Sequence, residues 1–166
     1  MNKDILILSG MALAAVALGT ILYLYGVNAL HGSGRSEVAA VIAHGSYAPI
    51  SDRKNFRISN ADDMQKLWAL LYGNDASNTP PIPQIDFSRQ EVVAVFAGEK
   101  PTGGYDIAVS GIRDSSNERL VSVTITAPGP SCMVAESQTS PFQVVAVPVS
   151  GLPFTHTDTT ETHTCQ

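Results

Sequence analysis

The chain has 166 residues, 44% of them hydrophobic and only 15% charged, with a formal charge of −5. That length suits one domain of ordinary size. The acidic balance excludes the clustered Lys/Arg surface that nucleic acid or an anionic headgroup layer would demand, since the densest basic group, Arg53, Lys54 and Arg57, is flanked by Asp52, Asp62 and Asp63.

The apolar residues are unevenly spread. The first 30 residues hold 21 of the 73 in the chain, which leaves the rest with the composition of an average soluble domain. Ile5 to Val27 carries no charge, and at about 1.5 Å per residue it would span roughly 34 Å as a helix, enough to cross a hydrocarbon core of ~30 Å. This segment reads as a membrane helix or a signal peptide. Its core is longer than that of a cleavable peptide, which favours an uncleaved anchor over residues 1–30, although Val27-Asn28-Ala29 could serve as a cleavage site. Little sequence precedes it, so the C-terminal part is expected outside the cytoplasm, with Tyr23 and Tyr25 at the outer interface. The expected localisation is therefore the cell membrane, crossed once. His31 to Ser36 follows as a Gly/Ser linker.

A β-rich domain is expected over residues 37–150. Glu37 to Ala43 and Phe56 to Ile58 read as short strands. A helix comes next: Ser59 or Asn60 can cap it, Asp62 and Asp63 complement its dipole, and Met64, Leu67, Trp68 and Leu71 form one apolar stripe before Gly73. Trp68 therefore reads as a core residue. Asn74 to Gln84, with its prolines, reads as a surface loop. Val92 to Phe96, Tyr105 to Ile112, Leu120 to Thr126, Met133 to Ser137 and Phe142 to Val149 then read as strands. Alternation of Ile107 and Val109, and of Val121, Val123 and Ile125, with polar neighbours is the pattern of antiparallel strands with one buried face. The expected fold is mainly β with one packed helix (α+β), an antiparallel β-sandwich or open barrel behind an N-terminal transmembrane helix.

Residues 151–166 are half threonine and histidine and are expected as a tail that only a covalent link would hold. A Cys132–Cys165 disulfide would supply that link, the alternative being two free thiols. A disulfide suits an oxidising compartment, and closing a loop of this length contributes roughly 3.5 kcal/mol in the chain-entropy model. A metal site from His156, His163, Cys165 and Cys132 is disfavoured by its spacing, and no metal or other cofactor is expected.

The most demanding stretch is Gly98-Glu99-Lys100-Pro101-Thr102-Gly103-Gly104-Tyr105. Its paired glycines allow positive φ, Pro101 fixes its own, and Thr102 can bond back to the backbone. It imitates the start of a phosphate-binding loop, but Gly104-Tyr105 stands where Lys-Ser/Thr would hold phosphate and magnesium. Lys100, Pro101, Thr102, Gly103, Gly104 and Tyr105 are the candidate partner-binding loop, with Ser140, Pro141 and Phe142 as a secondary one. Enzymatic readings are weaker. His44-Gly45-Ser46 sets a base beside a hydroxyl with no acid placed by the sequence, and Asp62 and Asp63 are explained by the helix dipole. No catalytic residue is expected.

Gly98 to Tyr105, with Pro80-Pro81-Ile82-Pro83-Gln84-Ile85-Asp86-Phe87 before it and Thr139 to Phe142 and Val144 to Pro148 after it, resembles the protease complex subunit PrcB family over roughly Phe56 to Val149. The resemblance implies a non-catalytic, envelope-associated subunit that helps a protease assemble or persist, and hence a protein partner. Many relatives look like lipoproteins, whereas this chain has no Cys near the end of its apolar segment. Pro101-Thr102-Gly103-Gly104-Tyr105 is also similar to the inhibitory loop of chagasin-type cysteine-protease inhibitors, which implies inhibition as the alternative function.

Overall fold

The computed structural model describes residues 39–73 and 79–165. The segment read as a membrane anchor and the linker after it lie outside the described residues, as does the whole Asn74 to Asn78 stretch of the proline-rich loop. Among the described residues no helix is long and apolar enough to cross a membrane.

Among the described residues, seven strands and one helix follow in the order β1 (Ala40–Gly45), β2 (Lys54–Ile58), α1 (Ala61–Tyr72), β3 (Gln90–Phe96), β4 (Asp106–Asp114), β5 (Arg119–Pro128), β6 (Phe142–Pro148) and β7 (Phe154–His163). They make two sheets, one ordered β1-β6-β3-β2 and the other β4-β5-β7. The fold is thus an open two-sheet α+β sandwich and not a closed barrel.

The helix forms where its caps and stripe require. Asn60 accepts the Asp63 amide at 2.9 Å, and Gly73, at φ 77°, donates its own amide to Ala69. Met64, Leu67 and Trp68 are buried against the first sheet, and the Trp68 indole N–H donates to the Pro80 carbonyl at 2.7 Å.

β3 explains the layering. Val92 to Ala97 is a continuous apolar run, the pattern of a strand buried on both faces. Because side chains alternate, Val92, Ala94 and Phe96 face the helix while Val93, Val95 and Ala97 face the second sheet. β6 divides the same way, with Phe142 and Val144 toward the helix and Val145 and Val147 toward Ile107, Ile112, Val121 and Val123. The order of layers is therefore helix, first sheet, second sheet.

Irregularities in the ladder are satisfied locally. A register shift in β4 between Val109 and Gly111 frees the Val109 amide, which donates to Oε1 of the buried Gln143 at 2.8 Å.

Three expectations need correction. Residues 151–166 are not a tail: Phe154 to His163 is β7, paired in register with β5 from Arg119–Phe154 to Pro128–His163. The second sheet is not wholly antiparallel, because β7 runs parallel to β5. After β5 the chain crosses into the first sheet as β6 before returning, and such a crossover delivers parallel neighbours where a hairpin would deliver antiparallel ones. Met133 to Ser137 is irregular. Met133 is fully exposed and no sheet covers this stretch, so its alternating residues have no face to bury.

Candidate functional site

The Gly98 to Tyr105 loop joins β3 of one sheet to β4 of the other, and its shape is set by contacts along its whole length. Gly98 sits at φ 75°, and a Cβ there would lie 2.7 Å from the Ser51 carbonyl oxygen and 2.9 Å from the Arg53 nitrogen, so the backbone leaves no space for a side chain. Glu99 donates its amide to Ser51, Lys100 and Thr139 exchange two backbone bonds at 2.8 and 3.0 Å, and Gly103 donates to the Ala135 carbonyl at 2.8 Å. Thr139 also donates its hydroxyl to the Thr102 carbonyl at 2.8 Å. Gly104 closes the turn at φ 81°, hard against Val134 and Pro128. Pro101 and Gly104 remain exposed, and Lys100, Thr102, Gly103 and Tyr105 are partly so. A pinned loop with an exposed tip loses little entropy on binding.

The irregular segment Cys132 to Gln138 is thus the wall that the loop leans on. Its start is fixed by the Cys132–Cys165 disulfide, with 5.0 Å between the Cα atoms, so the expected disulfide is present. The Ser131 hydroxyl donates to the Cys165 carbonyl, and Gly129 donates its amide to His163. The bond joins the loop's support to the end of β7.

The secondary loop proves different from its expectation. Ser140, Pro141 and Phe142 are all buried. Ser140 donates its hydroxyl to Ile50 and its amide to Ser46, Pro141 accepts the Ala97 amide, and Phe142 stacks on Phe96 with 6.1 Å between ring centres. These residues hold the corner together from within and present no side chain to a partner.

Two contacts were invisible in the sequence. His44 lies 2.6 Å from Asp106, which supplies the imidazole with the acid that no neighbour in the chain provides. Ser46 follows on the same segment with its carbonyl committed to Ser140. At the opposite side of the sandwich, Arg53 forms a two-pronged pair with Asp158 at 2.7 and 2.8 Å. Each pair joins a strand or loop of one sheet to an edge strand of the other.

Between the layers lies a charged cluster. The buried Glu91 accepts Arg119 at 2.9 Å, Arg57 at 2.6 Å and the Ser150 amide at 3.0 Å. Arg119, also buried, grips both oxygens of Asp114 at 2.6 and 2.7 Å and donates to the Pro148 carbonyl. The hydrogen bonds from Arg119 hold the Asp114 carboxyl below the usual carboxylate range. Every buried side-chain nitrogen and oxygen among the described residues has a partner, so the cluster is a satisfied structural network. Among the described residues no three His, Cys, Asp or Glu side chains converge as metal ligands, and alternation sets His156 and His163 on opposite faces of β7.

Fold and loop together define a two-sheet α+β domain whose tightest geometry lies in a surface loop. Residues 92–148, from β3 through β6 with that loop between them, match the family model described as PrcB C-terminal. The resemblance drawn from Gly98 to Tyr105 is borne out over this segment. No curated protein and no solved structure matched the chain.

Proposed function

We propose that the chain is a non-catalytic accessory subunit of a protease complex, a membrane-anchored and extracytoplasmic interaction module that assists the assembly or stability of an envelope protease. The match of residues 92–148 to the PrcB C-terminal family supports association with a protease complex. The observation that carries docking as the mechanism is the Lys100 to Tyr105 loop, held by backbone bonds to Ala135 and Thr139 while Pro101 and Gly104 stay exposed. The uncharged run from Ile5 to Val27 supports the anchor, and the disulfide supports an oxidising compartment.

Crosslinking in the native envelope tests this reading. A protein crosslinked to the wild-type chain should be lost with Thr102→Arg and reduced with Tyr105→Ala, and a crosslinking pattern unchanged by both variants would remove the loop from the function. The alternative reading as a chagasin-type inhibitor rests on Pro101 to Tyr105, and Ser140 to Phe142, being buried, adds no second exposed loop to it. Nanomolar inhibition of a papain-type enzyme would overturn the preference.

A further inference from the structure

The Cys132–Cys165 disulfide joins two segments that have little else to fix them. β7 is exposed from Thr155 to His163, and Cys132 to Gln138 belongs to no sheet. The main-chain hydrogen bonds of that irregular segment run from the Cys132 amide to nearby Gly129, at 3.0 Å, and from Gly103 to the Ala135 carbonyl, at 2.8 Å. The second of these shapes the Lys100 to Tyr105 loop.

The loop divides into a base and a tip with different supports. At the base, Glu99 donates its amide to Ser51, and Lys100 is paired with the buried Thr139, whose hydroxyl also reaches the Thr102 carbonyl. None of these partners lies near the cysteines in the chain. The tip, Gly103 and Gly104, leans instead on Ala135 and Val134, with Pro128 beside them. Those first two residues follow closely on Cys132, so the bond that fixes Cys132 also fixes the surface under the tip. Removing it would open a link across 33 positions and return that freedom to the wall and to the end of β7. Both cysteines are partly exposed, within reach of a soluble dithiol, and they are the only two in the chain.

We propose that the Cys132–Cys165 bond is a redox switch for the docking loop. Formed, it holds the tip in shape; reduced, it releases the wall, and the tip loosens while the base and the sandwich keep their structure. In the reducing direction a thiolate of a dithiol attacks one sulfur and forms a mixed disulfide, and its second thiol then displaces that sulfur. The dithiol leaves as a disulfide, and two electrons and two protons pass to Cys132 and Cys165 as thiols. Oxidation by a disulfide-bearing partner is the reverse and sets the tip. A chain with reduced cysteines therefore does not dock, and oxidation makes it competent. The docking consequence rests on the reading of this loop as the binding surface, whereas the loosening of the tip does not.

Amide hydrogen exchange on the full chain, with and without dithiothreitol, tests the switch. On reduction the Gly103 amide should exchange about tenfold faster, together with the last residues of β7, while Glu99, Lys100, β3 and β6 change less than about twofold. The Cys132→Ser, Cys165→Ser double variant should match the reduced chain and ignore dithiothreitol, and reoxidation of the wild type should restore slow exchange at Gly103. In envelope crosslinking the double variant should lose the partner as fully as Thr102→Arg does. An unchanged Gly103 amide would overturn the proposal. So would an equal rise at Glu99, β3 and β6, which would make the bond a support of the whole domain. A crosslink that survives in the double variant but is lost with Thr102→Arg removes the switch and leaves the loop reading standing. Faster exchange at Gly103 beside a crosslink indifferent to Thr102→Arg supports the switch and removes the docking role.

Discussion

β6 and β7 are both regular strands in full register with a neighbour, yet almost nothing else about them is alike. β6 is buried from Phe142 to Val147, and its side chains build the cores on both sides of the first sheet. β7 is exposed from Thr155 to His163 and touches a core only through Phe154. One strand is held by the apolar surface it removes from water. The other is held by a backbone ladder to β5, the Arg53–Asp158 pair and a disulfide just beyond its end. A strand can thus be specified by its neighbour and its anchors with little help from its own side chains.

Substitutions at the two strands should separate these causes. Phe96→Ala, removing the ring that packs on Phe142 and Phe56, should cost about 3–5 kcal/mol in denaturant unfolding, with amide exchange rising through the whole domain. Replacing both cysteines by serine should cost about 2–4 kcal/mol. Here exchange should rise most in β7 and in the Cys132 to Gln138 segment, and equal loss in β3 and β6 would show that β7 is no separate case. Gly98→Ala forces a side chain into the backbone of Ser51 to Arg53, and should cost about 1–3 kcal/mol while loosening the loop. Arg53→Gln should cost under about 1 kcal/mol because the pair with Asp158 is partly solvated, with its effect confined to exchange in β7.

Acid titration gives the smallest effect and probes the junction of the two strands, since Arg119 stands beside Phe154 in the ladder. Asp114 has a depressed carboxyl in the folded state, chiefly through its hydrogen bonds to Arg119. Its contribution is fully present above the unfolded-state value of about 4 and is lost as pH falls through the lower folded value. The melting-temperature gap between the wild type and Asp114→Asn should therefore narrow below about pH 4, and a gap that stays constant to pH 2 would contradict the assignment.

The same contrast explains what could be read along the chain. β3 and β6 are legible because burial on both faces demands an unbroken apolar run, and α1 is legible from Asn60 to Gly73 because its caps are local. β7 carries no apolar periodicity after Phe154, so its threonines read as a tail. Met133 to Ser137 misleads in the opposite sense, having strand-like residues but no sheet to join. In the candidate site, the positive-φ glycines and Pro101 mark the shaped loop from sequence alone. The burial of Ser140 to Phe142 follows from where Ile50, Ser46 and Phe96 lie, and local sequence carries no trace of that.

What the sequence determined by itself is whatever depends on neighbours within about a dozen residues: the capped helix, the apolar strands, the tight loop and the resemblance that its motif carries. Apart from the Cys132–Cys165 disulfide, which the two cysteines made legible, the tertiary structure decided what joins distant segments. His44 meets Asp106 across 62 positions and Arg53 meets Asp158 across 105, and β7 docks parallel to β5. Such contacts follow from how the sheets stack, because a charged residue finds its partner only after burial elsewhere has brought the two together.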